Sequence, residues 1–175
     1  MASIFGHVAA SSALGYSFFS NRTTWTGLAL AGFCAFAPDL DVVAFRFGIP
    51  YDSILGHRGW THSIVFALLL GTLVAWLFYH RDKDWWKMAG WFVLACTSHP
   101  LLDMLTTGGL GCALWWPVSE NRLFFPWRVI LVSPLEVRSF VGKYGLRVLM
   151  SELAWVGLPG LILVWITGLI RRNAR

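Results

Sequence analysis

Apolar residues run along this chain in long blocks separated by short polar breaks, and the blocks set the expected elements. The clearest is "GWTHSIVFALLLGTLVAWLFY", Gly59 to Tyr79, which stops at the polar run "HRDKD". A helix crosses a bilayer with about 20 mainly apolar residues, so this block predicts a membrane span. "WWKMAGWFVLACTSHPLLDML", Trp85 to Leu105, follows with a Trp pair at its start, where aromatic side chains favour the membrane interface. "LRVLMSELAWVGLPGLILVWITGLI", Leu146 to Ile170, is the third and ends at "RRNAR". Two shorter blocks come before them, Phe5 to Ser20 and Thr24 to Ala37 continuing towards Phe47. Both are rich in Gly, Ala and Ser, which suits helices packed closely on their neighbours. The stretch Thr106 to Tyr144 holds too many polar, Gly and Pro residues to span. It predicts an irregular interfacial region with short strands or a helical turn. The expected fold is all-α: an integral membrane helical bundle of about five spans, with residues 1–175 in a single domain.

Composition supports the membrane assignment. Of 175 residues 57% are hydrophobic and only 13% charged, with mean hydropathy +0.60. Soluble domains carry about a quarter charged residues. The net charge of +5 is spread along the chain rather than striped, which fits loops and lipid headgroups and argues against a nucleic-acid face. Cys34, Cys96 and Cys112 form neither a disulfide framework nor a Cys-rich zinc site. The first sixteen residues lack the basic start and cleavage site of a signal peptide, so the N-terminus is expected to be retained. Placing "RDKDWWK" and "RRNAR" in the cytoplasm follows the positive-inside tendency.

Against that apolar background the ionisable residues stand out. His7 falls at the start of span one, and Asp39 and Asp41 ("APDLDVV") at the end of span two. His57, Arg58 and His62 ("HRGWTHS") begin span three, and His99 and Asp103 ("SHPLLD") close span four. An up-and-down bundle brings all of these ends to one membrane face, extracytoplasmic in the tail-in orientation, and leaves His80 on the other. Taken singly, each residue has an ordinary reading. His99 and Asp103 could pair with each other, one of Asp39 and Asp41 could cap a helix, and Arg58 could snorkel from a loop. Taken together, imidazoles and carboxylates are the ligands of Zn, Mn and non-haem Fe, and an i, i+4 pair projects both side chains from one helix face.

The order "GH", "PDLD", "HRGWTHS", "SHPLLD" and "TTGG…WWPVSENR", from His7 to about Arg128, resembles the YdjM-type family of LexA-regulated, membrane-bound, metal-dependent hydrolases. In its ligand pattern that family is similar to zinc-dependent phospholipase C and related zinc nucleases. The resemblance implies a bacterial inner-membrane location and a His/Asp metal pair. His7 would serve one ion. Asp39 or Asp41, His57 or His62, and His99 would serve another, with Asp103 bridging. A third ion is not expected, because no further His pair follows Asp103.

The expected activity is hydrolysis of a phosphoester in a phospholipid or lipid-linked substrate, with water activated by one or two divalent ions. Zn is the first choice, with Mn or Fe as alternatives. Whichever of Asp39 and Asp41 does not ligate would orient or deprotonate the water, and Arg58 and Arg122 would face the phosphate. The rival is a scaffold or ion carrier with a structural metal. A carrier needs polar groups through the depth of its spans. The middles of spans three and five carry no charge.

Overall fold

The computed structural model describes residues 1–134 and 137–174 and is all-α. Helices α1 (Ile4–Phe18), α2 (Trp25–Phe36), α3 (Ile64–Tyr79) and α4 (Trp85–Met104) come first. After a long connection follow a single turn α5 (Val137–Phe140), then α6 (Lys143–Glu152) and α7 (Leu158–Asn173), the last two joined through a π-helical turn at Leu153–Gly157. Capping hydroxyls set three of the starts. Ser3, Thr24 and Ser63 accept from the backbone N–H of Gly6, Gly27 and Phe66. Each satisfies a donor that the first turn leaves without a partner.

Among the described residues, two helical stretches are long and apolar enough to cross a membrane: Trp25–Phe47, and the continuous Lys143–Asn173. Ile64–Tyr79 is a shorter apolar helix. The expected third span starts later than the apolar block suggested. Trp60–His62 forms a separate 3-10 turn, and α3 begins only at Ile64. The second block changes character at Pro38, whose ring disfavours regular helix before it. From there Ala37–Phe47 winds as a 3-10 helix ending at Gly48. The expected short strands in the interfacial region reduce to two isolated bridges, Thr106 with Ile130 and Cys112 with Leu123.

Small residues let α2, α3 and α4 approach closely. Ala31, Ala35, Ala67, Ala75 and Ala95 are fully buried around Trp91 and Phe92. A Cβ at Gly71 would come within 2.5 Å of the Val93 backbone nitrogen, so glycine is what allows α3 to touch α4. Gly15 of α1 likewise lies under the Trp91 ring, whose Nε1 donates to the Ser11 carbonyl at 3.0 Å. Helix α7 packs along α1 yet has no buried residue, and Leu161, Trp165 and Ile170 are more than 60% exposed. Such an apolar outer surface suits lipid rather than water.

The connection after α4 folds back over one end of the bundle. Phe125 N–H donates to the Met104 carbonyl, Ala113 N–H to that of Arg58, and Ser133 N–H to that of Met1. The N-terminus, the 51–63 segment and the end of α4 are thereby tied together under one cap.

Candidate metal centre

Beneath that cap, α1 contributes His7, the 3-10 helix after α2 contributes Asp39 and Asp41, the segment before α3 contributes His57, Arg58 and His62, and α4 contributes His99 and Asp103. His7, Arg58, His62, His99 and Asp103 are wholly buried, and Asp39 is 8% exposed. His80 lies at the other end of α3, exposed, with its ring nitrogen on the Trp76 carbonyl.

Asp39, His62, His99 and Asp103 form one group able to hold an ion. His62 Nε2 faces His99 Nε2 at 3.1 Å. Asp39 Oδ1 lies 3.6 Å from the first and 3.3 Å from the second. Ligand atoms on a tetrahedron with zinc bonds of about 2.0–2.1 Å are roughly 3.3 Å apart, so this triangle already has the spacing of three zinc ligands. Asp103 Oδ2 stands further off, 3.8 Å from His62 Nε2 and 4.0 Å from His99 Nε2. Asp39 Oδ1 and Asp103 Oδ2 are buried without a hydrogen-bond partner. Buried carboxylate oxygens are costly unless something satisfies them, and a cation among these four atoms would do so.

Each imidazole is oriented from behind. His99 Nδ1 donates to the Ala35 carbonyl at 2.7 Å, leaving the Nε2 lone pair pointing inward. His62 Nδ1 is shared between Thr61 Oγ1 at 3.0 Å and Asp41 Oδ2 at 3.3 Å. Metal-binding histidines ordinarily have such a carboxylate or carbonyl partner on the outer nitrogen. Burial alone would lower the His62 pKa, but the neighbouring carboxylates of Asp39 and Asp41 outweigh it and raise it to about 9. Without an ion, the pocket takes up a proton in its place.

Asp41 has a different position from Asp39. Its carboxylate accepts from His57 Nδ1 at 2.6 Å, Thr61 Oγ1 at 2.6 Å and the Arg58 N–H at 3.2 Å. Asp41, His57 and His62 form a second, overlapping group able to hold an ion. His7 stacks on the His99 ring at 3.8 Å, and its Nε2 is 3.5 Å from Asp103 Oδ1. Neither His7 ring nitrogen has a hydrogen-bond partner.

The two arginines expected to face a phosphate are occupied by the protein itself. Arg58 donates through its terminal nitrogens to the Gly108 carbonyl and Thr106 Oγ1, and its Nε lies 3.1 Å from Asp103 Oδ2. A Cβ at Gly109, where φ is +92°, would meet that guanidinium at 2.5 Å. Arg122 donates to the backbone carbonyls of Tyr51, Ser53 and His57 and so braces the loop that carries His57. Sequence reasoning passed over Thr61 and the Ala35 carbonyl. Thr61 was visible beside His62 in "WTHS", but a main-chain carbonyl leaves no sequence signal.

The YdjM inner membrane protein family matches the chain over residues 1–174. The chain belongs to that family. The inner membrane protein YbcI of Escherichia coli (strain K12) is 40% identical over 157 residues, covering 86% of each chain. No solved structure matches. The family and this relative place the chain in the inner membrane, with a buried His/Asp cluster able to hold a metal at one end of its bundle.

Proposed function

We propose that the protein is a five-span, metal-dependent phosphoester hydrolase acting on a phospholipid or lipid-linked substrate at the extracytoplasmic face. The observation that carries this reading is the triangle of Asp39 Oδ1, His62 Nε2 and His99 Nε2, spaced 3.1–3.6 Å apart, with Asp103 Oδ2, ion-paired with Arg58, beyond it. Catalytic zinc sites use three protein ligands and keep a further position for water. Zinc held there supplies the acidified water that such sites use as nucleophile.

The chain's own residues then divide the work. Asp41 holds His62 and His57, and the Ala35 carbonyl fixes the His99 tautomer. Asp103, held by Arg58 and by the Ala2 N–H at 2.7 Å, orients the attacking water. His7, neutral and beside Asp103, takes the proton and returns it to the departing alcohol as the phosphorus–oxygen bond breaks. Arg58 acts as the positioning partner of Asp103 rather than as a phosphate clamp.

Access favours a lipid. Asp39 is the least covered of the four donors, and Leu40, Val43 and Phe47 on its 3-10 helix are at least half exposed. An apolar cleft of about 420 Å³ between α1, α4 and α7 reaches the same end of the bundle at Leu102, Leu105 and Phe125, and its lining suits an acyl chain.

The test compares zinc-replete and chelator-stripped protein in detergent for release of phosphate or phosphoalcohol from phospholipids and prenyl phosphates. Zinc-dependent turnover, retained metal but slow turnover in His7→Gln, and loss of both in His99→Ala are expected. A zinc-replete protein that cleaves none of these lipids would make the ion a structural staple.

A further inference from the structure

The opposite end of the bundle carries a second constructed site that the hydrolase reading does not use. Helix α1 runs on from His7 to Phe18, so its far end lies roughly 16 Å from His7 along the axis. There the end of α1, the turn after it, the start of α4 and the end of α7 enclose a cavity of about 550 Å³. Phe18, Phe19 and Ile170 give it an apolar side, and Arg22, Lys87 and Arg171 a cationic one.

The cations are held in place. Arg22 pairs with Asp82 and, at 2.8 Å, with Asp84, and Lys87 meets Asp84 at 3.0 Å. Arg171 donates one N–H to the Ser17 carbonyl at 2.7 Å. Three cations against Asp82 and Asp84 leave one positive charge, which is what one phosphodiester neutralises. Three of the carbonyls at this end of α1, which would repel an anion, already have donors: Gly15 and Phe19 from the backbone, Ser17 from Arg171. Independently, Ser17 is among the lining residues, only 4% exposed, and its buried hydroxyl has no hydrogen-bond partner.

We propose that this cavity binds the phosphodiester headgroup of an anionic phospholipid, with Arg171 and the Ser17 hydroxyl on the phosphate and an acyl chain along Phe18 and Ile170. Basic pockets between helices at the cytoplasmic side are the usual form of such sites. The charge clusters "RDKDWWK" and "RRNAR" put this end in the cytoplasm. The proposal stands apart from the hydrolase reading, because none of its residues belongs to the metal centre.

Full-length protein in detergent, offered equal phosphatidylglycerol and phosphatidylcholine, is examined by native mass spectrometry for retained lipid. Phosphatidylglycerol should be retained at least about tenfold over phosphatidylcholine. The double variant Lys87→Gln/Arg171→Gln should abolish that preference with an unchanged thermal midpoint, and Arg171→Lys should restore most of it. Ser17→Ala, which removes no charge, should weaken retention by a few fold. Equal retention of the two lipids would overturn the proposal. So would displacement of the lipid by inorganic phosphate at matched concentration, or loss of preference only in variants that have unfolded.

Discussion

Replacing Asp41 by Asn keeps the shape of the side chain and removes its ability to accept at both ends. Four donors face that carboxylate: His57 Nδ1, Thr61 Oγ1, the Arg58 N–H and, at 3.3 Å, His62 Nδ1. An amide offers one acceptor oxygen, so the second cluster of donors meets an N–H₂ group instead. His62 is then free to turn its ring or change tautomer, and its Nε2 no longer points reliably at His99 and Asp39. Loss of an outer partner of this kind typically weakens metal binding about 10–100-fold, or about 1.4–2.7 kcal/mol. The assay is competition for zinc between purified protein and a chelating dye, with circular dichroism confirming that the helices persist. Unchanged zinc affinity in a folded Asp41→Asn protein would refute the claim that this residue orients His62.

Four further outcomes follow from the same arrangement. Because the folded, metal-free protein raises His62 from its ordinary 6.5 to about 9, an ion must displace that proton. Zinc affinity should therefore climb about tenfold per pH unit up to about 9 and then level off. Conversely, the stability that protonated His62 gives the metal-free fold should be complete below about 6.5 and disappear as pH rises through about 9. Both are read from titrations and melts across that range, and an affinity that is flat with pH would contradict them. Arg58→Ala leaves Asp103 buried without its cation and should cost about 3–5 kcal/mol in unfolding experiments, together with metal, whereas a phosphate-binding role would spare both. Cysteine probes at Asp52 and Glu120 should be labelled from one side of the membrane and those at Lys83 and Asn173 from the other. Labelling of Asp52 and Glu120 from opposite sides would break the topology.

Much of this arrangement is legible in the sequence because apolar blocks and stray ionisable residues are both strong signals. "SHPLLD" on an apolar helix places His99 and Asp103 on one face without further help. "APDLDVV" exposes the break in helix at Pro38 that lets Asp39 turn towards them. Which carboxylate and which imidazole face the centre was not legible. Asp39 and Asp41 are two residues apart, and only the 3-10 winding of Ala37–Phe47 sends them to different partners. The partners of Arg58 were hidden for a related reason. Its charge suggested a phosphate, whereas the chain beyond Asp103 folds back and supplies the Gly108 carbonyl and Thr106 hydroxyl that engage it. Long-range closure of that sort depends on the cap, whose short bridges have no period to read.

The central claim, that Asp39, His62, His99 and Asp103 gather around a divalent ion, is tested most directly by counting metal. Protein purified without chelators or a metal-affinity step is analysed by inductively coupled plasma mass spectrometry beside His99→Ala and His80→Ala. At least one zinc per chain in the wild type and in His80→Ala, and almost none in His99→Ala, is the expected result. A folded wild type that carries no transition metal and takes up none when zinc is supplied would contradict the account.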